Sequence, residues 1–132
     1  PFNFTSGTFV YDYLHIRTVT ETDILGDMTG AKGKTGSFTS IEVDSARLAN
    51  FPYDGKLSQV NLITTMAGFT DVLYSYENSP NSPNVTYRGR AVALRYYGTV
   101  YDAVVLGFPM YFIKKDQAKV MAQEILRSLH VQ

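Results

Sequence analysis

The clearest periodicity in the chain lies in its last third. Ala118, Met121, Ala122, Ile125, Leu126 and Leu129 recur at i, i+3, i+4, i+7, i+8 and i+11, so residues 114–130 predict an amphipathic helix with one apolar stripe. Before it, residues 101–108 (Tyr-Asp-Ala-Val-Val-Leu-Gly-Phe) hold an apolar run with no breaker until Gly107 and Pro109. A short run apolar on both sides of the pleat, followed by a helix that needs a surface, predicts an interior parallel strand with the helix folded down over it. Residues 90–97 alternate around Val92 and Leu94 and reach a turn at Gly98-Thr99, which adds a further strand.

Upstream, Phe9, Val10, Tyr13 and Leu14 share a helical face, with Thr5 or Ser6 as the expected N-cap and an end near Ile16. Residues 17–23 read as a loop or short extended piece, and the Gly-rich window 27–36 as a surface loop. A strand is expected over 38–43, one helical turn over 44–50, and a turn over 51–55 from its Pro and Asp-Gly chemistry. Residues 60–65 and 71–76 read as strands. The Asn/Ser/Pro run over 78–84 predicts an exposed loop. There are no internal repeats and no linker, so the expectation is a single α/β domain over residues 1–132.

Composition narrows the function classes. The 132 residues are 45% hydrophobic, enough for a core. Twelve basic and twelve acidic residues cancel, so no net field favours nucleic acid or an anionic membrane. No window approaches the ~18–20 consecutive apolar residues of a membrane span. Cysteine is absent, which excludes disulfides, thiolate metal sites and a Cys nucleophile. The opening Pro-Phe-Asn-Phe, without Met or a basic segment, suggests a mature, trimmed or excerpted chain.

Candidate chemistry is sparse. Gly33-Lys34-Thr35 spells the end of a phosphate-binding loop, but Met28 occupies the position of its first glycine and a strand-like segment follows instead of a helix. His15 and His130 each fall at the C-terminal end of an expected helix, where an imidazole caps carbonyls and meets the negative end of the dipole. Ser6, Asp12 and His15 lack the elbow that would hold a catalytic serine; for Asp12, a buried bond to an arginine or to backbone amides is expected instead. Asp23 and Asp27 lack the ligand series of a calcium loop. No catalytic, metal or cofactor site is therefore assigned. Ten Tyr and eight Phe stand out. Tyr74, Tyr76, Tyr87, Tyr96, Tyr97 and Tyr101 bracket the Asn/Ser/Pro loop, and exposed rings among them would form a platform for sugar or for protein docking. Alternation turns the rings of Tyr96 and Tyr97 to opposite faces, which sends about half of the set to the core.

The phrase Phe9-Val-Tyr-Asp12-Tyr13-Leu14 closing a helix, and the strand that runs through Val104, Val105 and Leu106 into Gly107-Phe108-Pro109 before a terminal helix, carry a resemblance. The order of pieces resembles the later portion of the class I glutamine amidotransferase-like fold, in particular its non-catalytic versions inside large secreted bacterial proteins of the xanthan-lyase type. The resemblance implies a partial flavodoxin-like, amidotransferase-like sheet with a β excursion and a C-terminal amphipathic helix, forming the C-terminal portion of a larger domain. It implies a non-catalytic scaffold or interaction domain in a secreted or cell-surface bacterial multidomain protein. The opening strands and the nucleophile elbow of active members would precede Pro1, and no His-x-Glu pair follows the last strands. Two alternatives stand beside it. A hydrolase with its nucleophile upstream would use Phe108, Pro109 and Tyr111 as pocket wall, beyond the carboxyl end of a strand. A carbohydrate-binding module would use the tyrosine platform, within which Tyr74, Tyr76 and Tyr87 are expected as a ligand or partner surface. The partners expected are other domains of the same protein, or a second copy joined through an exposed sheet edge, with carbohydrate as a further ligand and neither nucleic acid nor a membrane span.

Overall fold

In chain order the elements are β1 (Phe2–Asn3), α1 (Phe9–Leu14), β2 (Ile16–Thr22), β3 (Met28–Gly33), β4 (Ile41–Glu42), α2 (Ser45–Leu48), β5 (Val60–Thr65), β6 (Thr70–Asn78), β7 (Ala91–Tyr97), β8 (Asp102–Leu106), a 3₁₀ turn (Met110–Phe112) and α3 (Lys115–Ser128). The computed structural model describes residues 2–22, 26–48, 60–66 and 68–129. The strands form two sheets, ordered β1-β2-β5 and β4-β3-β6-β7-β8. The chain is thus of the α/β class, with helices, curled antiparallel sheets and a C-terminal helix. Every pairing among the named strands is antiparallel, and no flavodoxin-like parallel order appears among them.

The interior parallel strand expected over 101–108 is corrected. β8 pairs antiparallel with β7 as a hairpin and lies at the edge of its sheet. The run is apolar because both of its faces are covered, which does not require a neighbour on each side. Val104 and Leu106 pack with Met121, Ala118 and Ile125 of α3. Val105 turns the other way, to Leu94, Ile16 and Ile63, where Val10 and Leu14 of α1 also pack. The helix does come down on the sheet, with Met121 fully buried at the centre of its stripe, while Leu126 at the margin stays half exposed.

The two sheets meet at Gly107. Its N–H donates to Val92 O at 2.7 Å and its carbonyl accepts from Asn61 N at 2.7 Å. A Cβ here would lie 2.1 Å from Asn61 O, so only glycine lets β5 cross at this height.

Other expectations shift for local reasons. Residues 17–23 belong largely to β2, whose β-branched threonines suit a pleated surface. The Gly-rich window is largely β3: an added Cβ at Gly33 would sit 2.2 Å from Phe38 O, so this glycine permits close backbone approach inside a sheet. The N-cap of α1 is Thr8, whose hydroxyl accepts from Tyr11 N at 3.3 Å, in place of Thr5 or Ser6. The strand expected over 38–43 shortens to β4, and the helical turn expected over 44–50 appears as α2. The turn over 51–55, Asp23 and His130 lie outside the described residues.

Candidate functional site

The rings expected to form a platform separate into two groups. Tyr74 and Tyr76 are fully buried. Tyr74 donates to Thr39 O at 3.0 Å and meets Phe38 edge-on, while Tyr76 meets Tyr87 edge-on at 5.8 Å. The platform assigned to Tyr74, Tyr76 and Tyr87 is therefore corrected: alternation in β6 turns Tyr74 and Tyr76 inward, and Tyr87 packs on them as part of the core wall. Phe108, Pro109 and Tyr111 line neither of the two cavities described below. Phe108 is in the core and Pro109 is exposed. Tyr111 lies with its ring 4.8 Å from the Arg47 guanidinium, which also donates to Tyr111 O at 2.8 Å.

Around Tyr76 the structure builds a carboxylate centre from a residue that the sequence offered only as a turn. Asp27, just before β3, accepts from the Tyr76 hydroxyl (2.5 Å) and Asn78 Nδ2 (3.1 Å) on Oδ2, and from Ser82 Oγ (2.5 Å) and Asn84 Nδ2 (3.1 Å) on Oδ1. Asn78 is buried and is held in turn by Arg88, whose Nε donates to Asn78 Oδ1 at 2.9 Å and whose Nη2 donates to Ser79 O. Burial pushes the Asp27 carboxyl up, but the four donors, Ser82 first, outweigh it and hold the group down at about 2. Burial, followed by the bond to Asp27, raises the Tyr76 phenol well above its ordinary range. A carboxylate with both oxygens doubly engaged has no lone pair left for a substrate proton or a metal. This centre fastens the Asn/Ser/Pro loop, most of which is exposed as expected, through Ser82 and Asn84.

The opposite end of β6 and β7 carries a second polar row. Lys34 pairs with Asp71, Tyr97 donates to Asp71 Oδ2 at 3.0 Å, and Arg95 Nη2 reaches Asp102 Oδ2 at 3.2 Å while its guanidinium lies 4.0 Å from the Tyr97 ring. The bond to Asp71 raises the Lys34 ammonium above its usual value. The row borders a cavity of about 350 Å³ that α3 closes with Glu124, Arg127 and Ser128. Glu124 is occupied by the Thr39 amide at 3.0 Å, and Arg95 Nε is buried without a partner. Lys34 of the Gly33-Lys34-Thr35 phrase thus serves an ion pair between strands. A wider cavity of about 530 Å³ lies between the α1 approach and β2, lined by Thr5, Ser6, Tyr11, Arg17, Thr18 and Thr64 among others.

Several exposed rings collect at a third place, around α1 and the β7–β8 turn. Phe9 stacks on Tyr13 (5.3 Å), Tyr13 meets Tyr101 (6.4 Å), Tyr101 meets Tyr96 (5.1 Å), Tyr96 stacks on His15 (4.2 Å) and His15 on Phe69 (5.1 Å). Two local features set this up. Phe9 and Tyr13 stand one turn apart on the solvent side of α1, opposite Val10 and Leu14. His15 then ends the helix in the left-handed region (φ 57°), its N–H returning to Val10 O, which swings the imidazole between Tyr96 and Phe69. The Tyr101 hydroxyl donates to Tyr13 O at 2.7 Å and fastens hairpin to helix. Phe9 is 64% exposed, Tyr13 54% and Val100, at the hairpin tip, 92%. Asp12 sits on the same helix and accepts from Gly7 N (3.0 Å), a backbone amide as expected, but the bond is exposed and not the buried pair expected for it.

Tyr96 and Tyr101 were in the expected aromatic set, whereas Phe9, Tyr13, His15 and Phe69 were not associated with it. The i, i+4 spacing of Phe9 and Tyr13 is the sequence signal for their stacking on one side of α1. Among the described residues no three His, Asp or Glu side chains come together as a metal site, and no helix is long and apolar enough to cross a membrane. No protein-family model matches the chain, and a search of curated proteins finds no significant match.

Proposed function

We propose that the chain is a non-catalytic interaction domain of a secreted or surface multidomain protein, and that the aromatic end docks another domain of that protein. The observation that supports this reading is the exposed apolar end itself: Phe9, Tyr13, Phe69, Val100 and Tyr101 reach solvent together. Aromatic rings with few charges among them have the composition of a protein interface core. The secreted or surface setting is supported by the amidotransferase-like resemblance alone.

Hydroxyl-radical footprinting tests the reading. In the isolated chain, Phe9, Tyr13 and Tyr101 are expected to label readily. In the complete gene product, labelling of the same rings is expected to fall several-fold, and Phe9→Asp with Val100→Asp to restore it at Tyr13 and Tyr101. Equal labelling of these rings in both settings overturns the proposal.

A further inference from the structure

The sheet edges of this molecule are guarded unequally. β1 and β4 are two residues long, too short to template a partner. β4 is also clasped by the start of α3: Glu42 N donates to Gln117 Oε1 at 2.7 Å, and Lys114 N donates to Glu42 O at 3.0 Å. β5 is tied to the second sheet through Asn61 and Gly107. β8 has none of these devices. It is five residues long, with neither proline nor lysine, and its pairing with β7 runs without a bulge.

The phase of the ladder says which backbone groups of β8 are open. Gly107 N donates to Val92 O, so this pair occupies a hydrogen-bonded position, and so by alternation do Leu94/Val105 and Tyr96/Ala103. The N–H and C=O groups of Asp102, Val104 and Leu106 therefore turn away from β7, and no described residue bonds to them.

We propose that this edge pairs with β8 of a second copy of the chain, antiparallel and centred on Val104. This goes beyond the docking reading of the aromatic end: it names a different edge, a second copy as the partner and a register. The choice of a second copy follows from pattern and charge. An added strand would be flanked on one face by α3 and on the other by α1, so it must be apolar on both, as β8 itself is. A two-fold axis through Val104 sets Asp102 opposite Leu106 of the second copy and forms roughly six backbone hydrogen bonds. It also separates the two Asp102 carboxylates by roughly 14 Å, whereas parallel in-register pairing would place like charges side by side. A two-fold contact of this kind is closed and does not propagate.

Sedimentation velocity and amide exchange on the intact chain, over concentrations from about 10 μM to about 1 mM, test the proposal. The sedimentation coefficient is expected to move from monomer to dimer. Over the same range, exchange at Asp102, Val104 and Leu106 is expected to slow about tenfold or more, while Ala103 and Val105 are slow throughout. Val104→Pro removes an outward N–H and leaves the β7 bonds in place, so it is expected to weaken association about tenfold or more. If that variant fails to fold, the alternating exchange pattern of the unmodified chain still decides. A monomer at every concentration, open-ended polymers, or a dimer whose Asp102, Val104 and Leu106 amides stay fast overturns the proposal, as does slow exchange of those three at the lowest concentration. A monomer would leave the footprinting test of the aromatic end untouched, so the two failures are distinguishable.

Discussion

The loop after β6 and the end around α1 are near opposites. The loop is built from Asn, Ser and Pro and most of it is exposed, yet Asp27, Asn78 and Arg88 fasten it with charge-assisted bonds that partly bury Ser82 and Asn84. The α1 end is built from Phe, Tyr and Val, yet its rings lean on one another in solvent. Residue polarity alone would leave the first loose in solvent and send the second to the core. What decides is whether each group finds its partners inside the chain. The Ser82 and Asn84 side chains of the loop converge with Tyr76 and Asn78 on one carboxylate and are satisfied there, whereas the rings at the other end lean on one another and leave apolar area uncovered. The first region therefore works for stability, and the second is available for contact.

The largest break in that contrast is expected from Asp27→Ala. It strands four donors at once, including the phenol of the fully buried Tyr76. Buried donors left without an acceptor cost about 1–3 kcal/mol each before relaxation; with water reaching the loop-side partners, a loss of about 3 kcal/mol is expected. Urea denaturation would read this as a lower midpoint, and limited proteolysis should find new cleavage between Ser79 and Arg90. By comparison, Phe9→Ala should leave the midpoint nearly unchanged.

Acid separates the regions next. The folded Asp27 carboxyl titrates at about 2, below its ordinary 3.8, so the folded state binds its proton less readily than the unfolded chain. Its contribution is therefore complete above about pH 4–5 and is lost as pH falls through 2. Discounted for solvent screening at this partly exposed site, the loss is on the order of 1 kcal/mol. Denaturation midpoints across pH 5 to pH 2 should decline in the unmodified chain more than in Asp27→Asn, which carries no titrating carboxyl. Parallel curves would show that the network does not hold the charge.

The legible parts of the fold were those set by local period. The stripe from Ala118 to Ile125, the alternation around Val92 and Leu94 and the runs at 60–65 and 71–76 all became elements. Strand direction was not legible, because the apolar run of β8 reports coverage of its two faces and is silent about its edges. Neither was the Asp27 centre, since its four donors come from β6 and the loop behind it, about fifty residues away in sequence. Gly33 misled for a related reason: glycine that permits close strand approach looks, in sequence, like glycine that permits a turn. At the aromatic end, Tyr96 and Tyr101 were recognisable as candidates, but the ring path through His15 depends on one left-handed residue that only the fold displays.

The smallest effect is expected at the bond that joins hairpin to helix. Tyr101→Phe removes the hydroxyl that donates to Tyr13 O and keeps the ring against Tyr13 and Tyr96. Water can replace that donor at so open a site, so Tm should move by no more than about 2 °C. The informative change is in dynamics: with the tie gone, α1 and the β7–β8 turn are coupled only by ring contacts, and exchange at the C-terminal amides of α1 should quicken while that of the loop behind Asp27 stays as it was. A Tm loss as large as that of Asp27→Ala would mean that the exposed rings carry the fold after all, and the division between a fastened loop and an available aromatic end would have to be given up.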